Sequence, residues 1–93
     1  MPVLKRDLKN MSRHNRTKDE NYIMSLYEEA EKLGDLEGVV DRYQAGLAAG
    51  ISPKGADTIC KLLIQANFIK KATENDVYLT PNGIKLVEKL RLE

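Results

Sequence analysis

The chain has 93 residues, 42% hydrophobic and 31% charged, which suits one globular domain near the lower size limit for a core without metal or disulfide. Cys60 is the single cysteine and His14 the single histidine, which excludes an internal disulfide and leaves no Cys/His set for zinc. The net charge of +1 conceals an asymmetry: residues 1–18 hold six cations against Asp7, a balance of +5, and the remainder holds nine cations against thirteen carboxylates, a balance of −4.

Apolar runs such as Leu62-Leu63-Ile64 are far too short to cross a bilayer, and no signal-peptide apolar region follows the N-terminus. The expectation is a cytoplasmic protein with no membrane partner.

In chain order, residues 1–17 read as a mobile basic arm: Lys5, Arg6, Lys9, Arg13 and Arg16 repel one another, and only Val3, Leu4 and Leu8 hint at an amphipathic turn. Residues 18–93 read as the folded domain. Thr17-Lys18-Asp19-Glu20 matches a capping box, in which the Thr hydroxyl accepts from the Glu20 amide while the Glu side chain reaches back. Tyr22, Ile23, Leu26, Tyr27, Ala30 and Leu33 then recur at helical period up to Gly34, predicting a helix over 18–33. After a connection over 35–38, Val39, Val40, Tyr43, Leu47 and Ala48 predict a short second helix that ends at Gly50.

Ser52 is placed as an N-cap with Pro53 at the first helical position, and Ala56, Ile59, Cys60, Leu63 and Ala66 form the apolar stripe of a third helix over about 53–66. Only Gly50 to Ser52 separates the second and third helices, so the pair turns sharply, as in a helix-turn-helix. Phe68 to Thr73 and Val77 to Leu79 are extended runs joined through Glu74-Asn75-Asp76, which predicts a hairpin. Thr80 and Pro81 then cap and open a last helix reaching about Leu90, with Ile84, Leu86, Val87 and Leu90 on its apolar side.

This order of elements, with GLAAGISPKGADTICKLLIQANFIKKA followed by VYLTPNGIKLVEKL, resembles the winged helix-turn-helix DNA-binding family over roughly residues 18–93. In that family a small-residue second helix turns at a glycine, the third helix runs into a lysine-bearing strand, and a Leu-Thr-x-x-Gly element returns the wing into a closing helix. The resemblance implies a mainly α fold: a three-helix core, a two-stranded wing and a C-terminal helix. It also implies a small transcriptional regulator of prokaryotic or viral type that binds double-stranded DNA, with the third helix in the major groove.

The outward face of the third helix follows from its stripe: with Ala56, Ile59, Cys60 and Leu63 inside, Lys54, Asp57, Thr58, Lys61 and Gln65 point out. Lys54 and Lys61 suit phosphates, Thr58 and Gln65 suit base edges, Ser52 and the first-turn amides suit a phosphate oxygen, and Gly55 would allow close approach. Lys70 and Lys71 could touch phosphates from the side of the wing, and Arg13, Arg16 and the other arm cations could follow the backbone. Plainer readings stand beside these: Asp57 as a first-turn acid, the arm as a solubilising tail, the hairpin as a solvated loop, His14 as an incidental tail residue and Cys60 as a small core hydrophobe rather than a redox sensor. Tyr22, Tyr27, Leu86 and Leu90 are candidates for a homodimer interface or for the core of a single copy.

The alternative function is a winged-helix module that binds a protein partner within a larger assembly, suggested by Asp57, the acidic hairpin tip and the −4 body. RNA binding through the basic arm is a third reading. An enzyme is the least supported class: the sequence offers no phosphate-cradling glycine loop, no nucleophile beside a histidine and no metal-ligand spacing, and no cofactor is expected.

Overall fold

The structure is a computed structural model, described for residues 16–93. The first helix, α1 (Lys18–Lys32), starts on the expected capping box: the Glu20 amide donates to Thr17 Oγ1 at 3.1 Å and the Thr17 amide to Glu20 Oε1 at 2.9 Å. It stops at Gly34, whose φ of +81° disfavours side chains, and the Gly34 and Asp35 amides return to the carbonyls of Glu31 and Ala30. Tyr22, Ile23, Leu26, Tyr27 and Ala30 are buried along its inner face. Leu33, placed on that stripe by periodicity, is instead 63% exposed, because it caps the helix where the chain leaves the core.

Val40–Asp41 is not the first turn of a helix but a short strand, β1, and the second helix, α2, covers only Arg42–Ala48. Asp41 ends the strand and caps the helix, accepting from the amides of Tyr43 at 2.8 Å and Gln44 at 3.1 Å. The apolar side of α2 is also not the expected one: Ala45 and Gly46 are buried while Leu47 is 72% exposed. Small residues face inward because α2 packs closely on its neighbours; a β-carbon at Gly46 would lie 3.2 Å from Ala56 Cβ.

The third helix, α3 (Pro53–Gln65), begins as expected, with Ser52 Oγ accepting from the Gly55 amide at 3.2 Å and Pro53 at the first position. Ala56, Ile59, Cys60 and Leu63 are buried. Asn67, at φ 65°, turns the chain into β2 (Ile69–Lys71), which pairs with β3 (Asp76–Leu79). Asp76 belongs to β3 rather than to the turn.

The sheet therefore has three antiparallel strands in the order β1-β3-β2, with Val40 opposite Val77 and Ile69 opposite Leu79, where a two-stranded hairpin was expected. The last helix, α4 (Pro81–Leu92), runs one residue pair beyond the predicted end. Thr80 holds its start: the Thr80 hydroxyl accepts from the Gly83 amide at 3.1 Å and donates to the Asn67 carbonyl at 2.6 Å.

The described chain is thus a compact, mainly helical unit with a small antiparallel sheet. The core joins Tyr22, Ile23 and Leu26 of α1 to Ile59, Cys60 and Leu63 of α3, to Ile69, Val77 and Leu79 of the sheet, and to Val87 and Leu90 of α4. At about 1.5–3 kcal/mol for each large side chain removed from water, this shared core is the main force that sets α3 against its neighbours.

Candidate nucleic-acid interface

With its apolar stripe turned inward, α3 exposes Lys54, Thr58, Lys61 and Gln65. These residues recur at intervals of three and four, so they share one face of a helix. The Thr58 hydroxyl donates to the Lys54 carbonyl at 3.1 Å, which fixes its rotamer and leaves its oxygen able to accept. A shallow cleft brings Lys18 and Asp19 from the start of α1 beside Ser52, Gly55 and Thr58. Lys18 is therefore the described cation of the arm region that borders α3.

A β-carbon at Gly55 would stand 3.0 Å from Ile51 Cγ2 and 3.4 Å from Ser52 Oγ, so the glycine lets the turn into α3 pack closely.

Asp57, half-exposed on α3, is anchored by two residues of α2. Tyr43 Oη donates to Asp57 Oδ1 at 2.9 Å, and Arg42 Nη2 lies 3.2 Å from the same oxygen. Arg42 also donates to Tyr43 Oη at 3.0 Å, and its guanidinium lies 4.9 Å from the Tyr43 ring centroid. The Arg42 side chain is 18% exposed and that of Asp57 42%, so the cation backs the carboxylate from the protein side. Neither Lys54 nor Lys61 pairs with Asp57. The usable signal was the Arg42-Tyr43 pair directly after the Asp41 cap: a sharp turn sets the first turn of one helix against the early turns of the next.

Below this cluster, the Tyr22 hydroxyl donates its one proton to the Arg42 carbonyl at 2.8 Å and lies 3.1 Å from Cys60 Sγ, where it accepts from the thiol. Burial pushes both the Tyr22 hydroxyl and the Cys60 thiol above their ordinary pKa values. Cys60 is thus an inert hydrogen-bonded core thiol rather than an accessible thiolate.

On β2, Lys70 stands opposite Tyr78 and Lys71 opposite Val77, so the two exposed lysines project from opposite faces of the strand. They cannot grip one phosphate side by side. Arg16 is not a free arm cation: its Nη2 donates to the Leu90 carbonyl in the last turn of α4 at 2.5 Å. Arg13 and the cations before it lie outside the described residues.

Of the dimer candidates, Tyr22, Tyr27 and Leu90 are buried within the single chain, leaving only Leu86 half-exposed. The apolar surface of those three is taken up by the core of the single chain. Among the described residues no helix is long and apolar enough to cross a membrane, and no group of three or more His, Cys, Asp or Glu is placed to hold a metal. No protein-family model matches the chain, and neither the curated proteins nor the solved structures contain a significant match.

Proposed function

We propose that the protein is a winged helix-turn-helix DNA-binding protein, a small transcriptional regulator that occupies a double-stranded site with α3 in the major groove and the hairpin and basic arm on the backbone. The observation that carries this reading is the exposed stripe of Lys54, Thr58, Lys61 and Gln65 on a helix whose other side is locked into the core. Phosphates are met by the two lysines, with Lys18 at the border, and base edges by Thr58 and Gln65. Arg42, 3.2 Å from Asp57 Oδ1, offsets part of that carboxylate's repulsion of a polyanion at this face. In this reading β2 and β3 form the wing, and Thr80 and Gly83 return it to α4.

The test is an anisotropy titration of mixed-sequence duplex at two salt concentrations. Affinity should fall steeply with salt, by about 0.9 log units per tenfold salt for each phosphate contact. Absence of binding at low salt would remove the reading.

A second reading is a winged-helix module that docks on a protein. It is favoured by Leu62, 49% exposed on the flank of α3, and by Glu74 at the hairpin tip. An apolar partner interface would respond little to salt, which separates it from the first reading.

A further inference from the structure

We propose that Asp57 is a specificity-determining residue that selects cytosine in the major groove, with Tyr43 and Arg42 as the residues that position it. The proposal rests on the duplex-binding reading above and names the base that one position of α3 would choose.

A carboxylate on a DNA-facing helix is normally a liability, because its charge repels phosphate and its rotamers are many. Here the fold reduces both. Tyr43 Oη and Arg42 Nη2 both contact Oδ1, at 2.9 and 3.2 Å, so the carboxyl group is anchored through one oxygen. Oδ2 forms no hydrogen bond among the described residues, and the side chain remains 42% exposed. Asp57 is also placed between Lys54 and Lys61, three residues after the one and four before the other, so it shares the face that those lysines would set against phosphates.

A fixed, charge-compensated oxygen that can only accept hydrogen bonds is matched by a base that donates into the major groove. Cytosine offers its N4 amino group there with no acceptor on its own edge, whereas guanine's own edge shows only acceptors and would be rejected. Adenine also carries an amino group, but its adjacent N7 acceptor would face the carboxylate, so cytosine is preferred. Arg42 does not touch the base in this arrangement. It lowers the electrostatic cost of bringing Asp57 to the groove, and Tyr43 sets the plane of the carboxyl group.

The experiment is selection of bound duplexes from a randomised pool with the full chain as wild type, Asp57→Asn and Tyr43→Phe. In the wild type one position should favour cytosine by about fivefold over the other bases, the size of a single good base contact. Asp57→Asn, which presents a donor as well as an acceptor, should lose that preference or shift it to adenine while the other positions keep theirs. Tyr43→Phe removes only a hydroxyl and should weaken enrichment at the same position alone, a change that a merely structural role would not confine to one base.

A wild-type preference retained unchanged in Asp57→Asn would overturn the assignment of Asp57 and leave duplex binding intact. Loss of the preference in Asp57→Asn but not in Tyr43→Phe would overturn the positioning role of Tyr43. A wild-type pool with no enriched base at any position would overturn both this inference and sequence-specific DNA reading.

Discussion

Gly83 lies against the carbonyl of Phe68 so closely that a β-carbon at position 83 would stand 2.0 Å from that oxygen. The contact joins the first turn of α4 to the residue before β2, and the Thr80 amide donates to the same Phe68 oxygen at 3.0 Å. The position of the hairpin relative to the helices depends on this approach. Gly83→Ala must push α4 away from backbone, which cannot yield as a side chain would, and the expected loss is about 2–3 kcal/mol of stability. Urea unfolding measures it; a midpoint equal to that of the wild type would mean that α4 does not need to sit this close.

The neighbouring hydroxyl is a second, separable hold on the same junction. Thr80→Val keeps the shape of the side chain but loses both the cap on the Gly83 amide and the bond to the Asn67 carbonyl. The expected cost is about 1–2 kcal/mol. Because Thr80 is buried, the orphaned groups are not fully rescued by water. A thermal melt of the variant checks this, and an unchanged transition would show that the cap is dispensable.

Tyr22 and Cys60 link stability to alkaline pH. Burial raises the Tyr22 hydroxyl above its ordinary value of 10.0 and the Cys60 thiol above its ordinary 9.0. The folded chain therefore holds these protons more tightly than the unfolded chain does. Their contribution is complete below the ordinary values and is lost as pH rises through them toward the folded values. The urea midpoint should be flat near neutrality and decline above about pH 9. Tyr22→Phe should cost about 1–2 kcal/mol at neutral pH and show a shallower alkaline decline, since one of the two buried groups is gone. Parallel curves for the two proteins from pH 7 to 11 would refute the linkage.

The same burial makes a chemical prediction. Cys60, 1% exposed and hydrogen-bonded to Tyr22, should react with a disulfide reagent only through unfolding. Absorbance should rise slowly in native buffer and within mixing time in concentrated urea. Immediate stoichiometric reaction in native buffer would place the thiol at the surface.

Much of this architecture is legible in the sequence where the signal is local. Thr17 to Glu20, Gly34, Ser52-Pro53 and Thr80-Pro81 each carry the cap or stop that a helix end needs, and the corresponding boundaries fall within a residue or two. Strand β1 was not legible because its two residues owe their extended form to Val77 and Asp76, more than thirty residues away, while Val39 and Val40 mimic helical spacing. The outward stripe of α3 followed from its buried stripe. The anchoring of Asp57 did not, because Arg42 and Tyr43 reach it only after α2 and α3 have packed. Arg16 shows the same limit: composition shows a cation in a basic run, whereas the fold offers it a carbonyl on α4.

The proposed contact of α3 with duplex DNA through Lys54 and Lys61 is tested by comparing the wild-type chain with the Lys54→Ala, Lys61→Ala double variant. Anisotropy titrations of mixed-sequence duplex across a range of salt give the slope of log affinity against log salt for each protein. The double variant should bind every duplex more weakly, with a slope reduced by about two, one for each lost phosphate contact. An unchanged affinity and slope in the double variant, with its fold intact by circular dichroism, would rule out α3 as a DNA-contacting helix.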